Sequence, residues 1–503
     1  MSQPDTLIVG GGHNGLVAAI YLARAGRKVL VLEAASEAGG QLANRMPGKD
    51  LGAPALHPAG RLRPEIVREL GLARHGLAID DVPHAAYTAL LPGGENLRLS
   101  TRRGDTDTLE AIRRHSARDA ARWPEFLAFM DAACSLLNAA YATPMPRPER
   151  REILGKALPL ASLLLKLRRL GRRDMFRVIR SLSMSARELA DEWFEAEPLR
   201  AALGALAIHG VTLGPYSAGT GYTLIHNWLN RGGLAHASPD GAAITQALVT
   251  ALQAAGGELR TSAPVARVLV ERQQVKGVLL KDGTEIHATR VLSSADPRRT
   301  LLGLVGAPEL PTDYVWGVQS IRMRGSVAKV HLLTDGNHGL PEGTLVVAPT
   351  LRYLEQAYDA AKYGEISASP YLEVTTSGAV VSIHFQFAPF ALRHEGWGDA
   401  RAALETRAIE TLSKYAPRLP DSLQSVQSIT PVDLEEHWSL TEGDLNHGQL
   451  ILDQLMFMRP LPGWSDHRTP IDGLFLGGSG THGGGGISGV PGRNAARAAL
   501  SGR

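Results

Sequence analysis

Cysteine is almost missing from this chain. One residue, Cys134, stands in 503, which excludes an internal disulfide and a cysteine-built metal centre and fits a reducing compartment. Net charge is scarce as well. Lys and Arg number 53 against 50 Asp and Glu, a total of +3, which excludes a dedicated nucleic-acid partner because phosphate binding needs a strong basic footprint. Aromatic residues form 5% of the chain. No run of about 18 apolar residues occurs, so no spanning helix is expected. The opening "MSQPD" has no basic segment, and the apolar run behind it breaks into glycine, so no secretory leader is expected. A cytoplasmic protein follows as the expectation, with attachment to a membrane surface left open. Familiar catalytic signatures are missing too: there is no G-x-S-x-G, H-E-x-x-H or Walker loop, and we expect no metal.

Glycine is what the chain has. Its 54 residues concentrate in two places. At the N-terminus "TLIV" (6 to 9) is a short apolar run suited to a buried parallel strand. "GGGHNG" follows, then small and apolar residues at helical spacing stopped at Gly26, then "KVLVLE" ending on Glu33. This order of strand, glycine turn, helix, strand and acid is the context that gives a G-x-G-x-x-G its meaning. Gly10 permits the tight turn, Gly12 lets backbone approach a pyrophosphate, and Gly15 lets the helix pack close to the strand. His13 and Asn14 sit in that turn, at a helix start that favours anions. Glu33, with Ala34 beside it, offers a carboxylate to a ribose hydroxyl. A dinucleotide site is expected here, and Gly40 and Gln41 follow in the next loop.

The second concentration is "GGSGTHGGGGISGVPG" (477 to 492), in which nine of sixteen residues are glycine. Gly478-x-Gly480-x-x-Gly483 formally repeats the dinucleotide pattern. As a second site it fails, since Pro491 and further glycines come before any helix and no strand or acid follows. Pro491 suits a first helical position. We expect Gly477 to Gly480 to let backbone approach the same cofactor, and the helix after Gly489 and Val490 to aim its positive end at it.

Between these poles the chain divides into residues 1–70, a helix-rich part 71–235, a strand-rich part 236–300, a mixed part 301–464, and 465–503. Strand candidates include "SVAKVHLLTD" (326 to 335) and "AVVSIHFQFAPF" (379 to 390). Residues 147–187 hold twelve Arg or Lys and three acids, a local excess of nine positive charges, interleaved with leucines. Three readings stand: a cap helix with a solvated basic face, a membrane-surface helix, or a face for an anion or partner. Cys134 lies in an apolar helical stretch and reads as an inert, buried thiol.

Several stretches carry a resemblance: "IVGGGHNGLVAAIYLARAGRKVLVLEAASEAGG", "GTGYTLIH" (219 to 226), "LSSADPRRTLLGLVG" (292 to 306) and "GLFLGGSGTHGGGGISGVPGRNAA". Over nearly its whole length the chain resembles the phytoene desaturase-like FAD-dependent oxidoreductases of the flavin amine oxidase superfamily. It departs from the family at Gln41, where many flavin amine oxidases have arginine after the glycine pair, and at "PDGAAITQAL" (239 to 248), where the family carries a richer glycine turn. The resemblance implies an α/β fold, with a discontinuous Rossmann-like FAD-binding domain interleaved with an α+β substrate domain. It implies non-covalent FAD, with Val265 near the adenine end and Gly480, Thr481, Gly489 and Val490 along the cofactor. It also implies hydride transfer from carbon to flavin N5.

By the same match Lys329, in "GSVAKVH", would hold a water beside N5, and His57 would lie near the flavin ring. His482 sits within the glycine cluster. Either histidine is a candidate proton carrier or a plain structural hydrogen-bonding group. Tyr216, Tyr222 and Trp228 are candidates for a pocket wall or for core. The expected substrate is an apolar, unsaturated small molecule, with oxygen or a quinone as electron acceptor. An amine oxidase producing hydrogen peroxide, a redox-neutral isomerase using reduced FAD, and a non-catalytic flavin-bound scaffold remain as alternatives.

Overall fold

The computed structural model describes residues 3–43, 55–56, 60–78, 87–143, 153–234 and 241–501, with 153–159 described by backbone alone. Five parallel strands form the first sheet, in the order Leu474–Leu476, Arg290–Ser293, Thr6–Val9, Val29–Leu32, Glu258–Arg260. Thr6–Val9 and Val29–Leu32 are buried throughout. This is why they read as unbroken apolar runs rather than alternating ones. The five strands come from three separate parts of the chain, so the sheet closes only when the last 30 or so residues return to it. Helix His13–Arg24 crosses between the first two strands and packs against the final helix, Val490–Leu500.

A second sheet has seven strands, ordered Leu423–Ile429, Val327–Thr334, Val380–Gln386, Tyr371–Ser377, Gly343–Val347, Tyr87–Leu90, Leu97–Leu99. Its pairs are antiparallel except Gly343–Val347 with Tyr87–Leu90. The first two contributors, Tyr87–Leu90 and Leu97–Leu99, lie ahead of the helices in the part read as helix-rich; the first does not alternate and the second does so over three residues only. Strand Val327–Thr334 alternates cleanly. Ala328, Val330 and Leu332 join an apolar core with Ile383, Phe385, Leu372 and Val374 from neighbouring strands and with Leu404 and Ala408 of helix Trp397–Ser413. The opposite face carries Lys329 and His331, and it faces the site described below. A three-stranded antiparallel sheet, spanning 265–287, flanks the nucleotide region.

The helical part includes Ala117–Ala142, Ala186–Trp193, Glu197–Ile208 and Thr220–Arg231. Its core is aromatic: Phe126 meets Trp193, Phe194 and Trp228 edge-on with centroids 5.1–5.7 Å apart. Trp228 and Tyr222 are therefore core residues, and Tyr216 lies on the surface under Arg187. Cys134 is buried against this helix bundle, and burial pushes its thiol up to about 12, so it stays protonated and unreactive.

Candidate functional site

The turn after the first strand opens at the carboxyl edge of the parallel sheet. Gly10 has φ +96°, and a Cβ on Gly15 would stand 2.1 Å from the Gly10 carbonyl oxygen. No side chain fits there, so glycine at 15 sets how closely helix and strand approach. The Glu33 carboxylate accepts from the Gly11 backbone N–H (2.7 Å) and the Ala35 N–H (2.9 Å), which fixes it at the rim. Gly10, Gly12, His13, Asn14, Glu33, Ala34, Gly40, Gln41 and Val265 all line one cleft. Gly15 lies behind it, as packing.

Among the further residues of this cleft that went unnoticed in the sequence are Lys281, Arg299, His447 and Ser479. Gln41 donates to the Leu445 carbonyl (2.8 Å), and the cation it lacks is supplied to the same cleft by Arg299. His13 Nε2, Asn14 Oδ1, Arg299 Nε and His447 Nδ1 are buried without a hydrogen-bond partner. Buried polar atoms are rarely left so. A helix start, a fixed carboxylate, two cations and these orphaned polar atoms fit a dinucleotide with its pyrophosphate and ribose hydroxyls. Burial, aided by His447, pushes the His13 imidazole down to about 4, so it enters the cleft neutral.

The C-terminal glycines have a packing role as well. Gly480, Thr481, Gly489 and Val490 line neither this cleft nor the chamber beyond it. A Cβ on Gly478 would stand 2.4 Å from the Ser294 carbonyl, on Gly480 2.6 Å from the His447 carbonyl, and on Gly492 2.1 Å from the Asn14 carbonyl. These glycines let protein backbone meet protein backbone. Thr481 Oγ1 donates to the Gly478 carbonyl (2.8 Å). From this stretch Ser479 faces both spaces, and Gly486 and Ile487 face the inner one. His482 is fully buried, with Nε2 donating to the carbonyls of Ala140 (3.1 Å) and Thr143 (3.0 Å). It ties the glycine cluster to helix Ala117–Ala142 and has no path to either space. His57 lies outside the described residues.

The inner chamber shares His13, Gln41 and Ser479 with the cleft, so the two adjoin. Lys329 reaches it. Lys329 stands opposite His384 in the sheet register, and His384 stands opposite Glu373 on the next strand. Residues paired this way share a face, which makes one polar row across three strands. Gln386 Nε2 donates to the carbonyls of Ile208 (3.0 Å) and Val211, so its Oε1 accepts from Gly210 N–H (3.0 Å) and from His384 Nε2–H (2.7 Å). His384 Nδ1 is thereby an acceptor, and Lys329 Nζ donates to it at 3.1 Å. Burial holds His384 well below the usual histidine range, with His209 and Lys329 adding to it.

Burial also lowers the Lys329 ammonium to about 8, against the pull of Glu373. Glu373 makes a two-pronged ion pair with Arg231, both contacts 2.9 Å and both side chains buried. His209 stacks on His384 with centroids 4.0 Å apart and comes within 3.4 Å of Glu373.

A second network forms another wall. Arg63 donates to Asn230 Oδ1 (2.8 Å), which leaves Asn230 Nδ2 to donate to His226 Nε2 (2.8 Å). His226 Nδ1–H then bonds the Tyr141 hydroxyl (2.6 Å), itself bonded to Tyr222. Burial takes His226 down to about 3, so it stays neutral. Leu42, Leu56 and Ile487 supply apolar surface, and no Phe, Tyr or Trp occurs among the described lining residues.

A parallel-sheet dinucleotide cleft that adjoins a chamber fits an FAD-dependent oxidoreductase, and the family match makes FAD the cofactor. Residues 15–500 match the family described as flavin containing amine oxidoreductase, and the chain belongs to that family. It is 30% identical to the rat pyridine nucleotide-disulfide oxidoreductase domain-containing protein 2, over 98% of this chain and 92% of the relative. It is 26% identical to a lycopene-forming phytoene desaturase of Pantoea ananas, over 98% of each chain. The structure of cyclohexylamine oxidase from Brevibacterium oxydans shares the fold, with a TM-score of 0.53 and 17% identity over 99% of this chain and 98% of that one.

Proposed function

We propose that the protein is a dehydrogenase or oxidase that removes hydride from a C–H bond of a small molecule held in the inner chamber by a hydrogen-bonding group beside that bond. FAD supplies the two-electron acceptor. The observation that carries the reading is Lys329, a buried cation at the inner end of the dinucleotide cleft, tethered by His384. With its pKa at about 8 the ammonium is charged at neutral pH. A fixed positive charge in a water-poor site stabilises the negative charge that arrives with the hydride. His384 and Gln386 orient it, and the Arg231–Glu373 pair adds little net charge. Electrons then leave to oxygen or a quinone.

The lining favours a substrate bearing a hydroxyl, carbonyl or carboxylate over a wholly apolar one, and so departs from the substrate that the family resemblance implied. An amine would enter as a cation beside Lys329, with no aromatic cage among the described residues. A second reading, an apolar unsaturated substrate, has support in the likeness to phytoene desaturase and in a lipid-facing surface argued below. Anaerobic bleaching of the flavin absorbance by panels of alcohols and hydroxy acids, unsaturated terpenoids, and amines separates these. Bleaching by the oxygen-bearing panel, lost in Lys329→Met, is expected. Bleaching by amines alone overturns the substrate class, and turnover that needs prior reduction yet consumes no acceptor overturns the oxidation itself.

A further inference from the structure

Helix Ile153–Arg169 is hardly packed over its described side chains. From Leu160 to Leu170 no residue is buried, although the stretch reads "LASLLLKLRRL". Its successor, Gly171–Ser181, is anchored. Val178 is 2% exposed, Arg177 lies over the Trp193 ring at 5.1 Å and meets Glu125 at 3.3 Å, and Arg180 pairs with Glu192. Of the nine large apolar side chains exposed among the described residues, four fall here: Leu164 (65%), Leu165 (49%), Phe176 (57%) and Ile179 (47%).

Charge accompanies them. From Ile153 to Arg173 the chain has six Lys or Arg and no acid. Residues four apart on a helix lie one above the other. Leu164 and Leu165 are thus followed one turn on by Arg168 and Arg169, and Arg172 precedes Phe176 by one turn. Arg173 and Arg177 turn toward Glu125, whereas Arg168, Arg169 and Arg172 are exposed.

We propose that the two helices from Ile153 to Ser181 form a docking surface for an anionic lipid bilayer. Exposed leucine and phenylalanine insert at the acyl boundary, and the arginines one turn away lie at headgroup level and pair with lipid phosphate. An acidic protein would account for the cations but leaves the apolar side chains without a role. A neutral apolar partner leaves the acid-free run without one. The lipid surface uses both. Among the described residues no helix is long and apolar enough to cross a membrane, so this contact is one of surface attachment.

The test is co-sedimentation of the FAD-loaded protein with vesicles of pure phosphatidylcholine and of three parts phosphatidylcholine to one part phosphatidylglycerol. Two variants accompany it: Leu164→Ser with Leu165→Ser and Phe176→Ser, and Arg168→Ser with Arg169→Ser and Arg172→Ser. All six positions are on the surface, and retained flavin absorbance and melting temperature verify the fold. Wild type should bind the anionic vesicles at least roughly tenfold better than the neutral ones, and each variant should lose roughly tenfold or more. Equal binding to both vesicles, or none, overturns the proposal. So does loss in the arginine variant with none in the leucine and phenylalanine variant, which would mark a purely electrostatic face for an acidic macromolecule.

Discussion

The nucleotide cleft and the inner chamber share three lining residues, yet they are built in opposite ways. One side of the cleft is a glycine turn, a helix start and a strand end, supplied within residues 10 to 41, and the other is added from distant segments that include Arg299, Lys281, residues 436–440 and His447. The chamber is mostly side chains brought together over long distances. Lys329 meets His384 55 residues away, and Arg231 meets Glu373 142 residues away. A site made of backbone is tuned by what cannot be added to it. A site made of buried charge is tuned by which partner each group keeps. The two should therefore fail differently, one by losing the cofactor and the other by keeping it idle.

The largest effect is expected at Gly15. In Gly15→Val the side chain would collide with the Gly10 carbonyl, 2.1 Å from the first added carbon, and backbone cannot yield there as a flexible side chain can. The protein should purify without flavin absorbance or not fold at all. Full FAD occupancy in this variant would break the account of the turn.

Next comes Glu373→Gln. It leaves Arg231 charged and buried without its ion-pair partner, a change that costs about 3–5 kcal/mol, readable as a lowered denaturant midpoint. Glu373 also pulls the Lys329 pKa upward. Its loss should shift the basic limb of the pH–rate profile to lower pH.

Lys329→Met removes the charge with little change of volume. We expect turnover to fall by roughly a hundredfold or more, the scale of losing one preorganised electrostatic contact, with FAD occupancy unchanged. In wild type the rate should fall as pH rises through about 8, where Lys329 loses its proton, and in the variant that limb should vanish. Folding follows a related course. The folded pKa of about 8 lies below the free value of 10.5, so between these the unfolded chain holds more protons and stability rises with pH. Melting temperatures across that window, flatter in Lys329→Met, check this.

The smallest effect belongs to Arg299→Ala. Its side chain is 37% exposed, so solvent screens its pull on phosphate. FAD affinity should weaken on the order of tenfold, measured by titrating the apoprotein, while turnover of the loaded enzyme stays close to wild type.

The same contrast explains what could be read in the sequence. The order of glycine turn, helix, strand and Glu33 is local, so that side of the cleft was legible, whereas the wall from residues 436–440 and His447 was not. Arg299 stood within the stretch "LSSADPRRTLLGLVG" without drawing notice, because nothing local says that a residue after Asp296 returns to the cleft. The strands carrying Lys329 and His384 were legible as strand candidates. Their register was not, and only register puts Lys329 opposite His384 and His384 opposite Glu373. Glycine density at the C-terminus was visible, but its meaning was not, since an approach to the cofactor and an approach to the Asn14 carbonyl ask for the same residue. His482 illustrates the same limit: a histidine in a glycine loop looks available until the carbonyls of Ala140 and Thr143 are seen to hold it.

The proposed function requires one FAD along the cleft, its redox-active end where cleft and chamber adjoin, with Lys329 beside that end. The midpoint potential of the bound flavin, measured from pH 6 to pH 9 in wild type and in Lys329→Met, tests this without any substrate. The account predicts equal FAD occupancy and a potential lower in the variant by ~30 mV or more at pH 6, equivalent to about 1.4 kcal/mol for two electrons, with the gap closing above the Lys329 pKa of about 8. Equal potentials across the whole range would place Lys329 away from the flavin and contradict it.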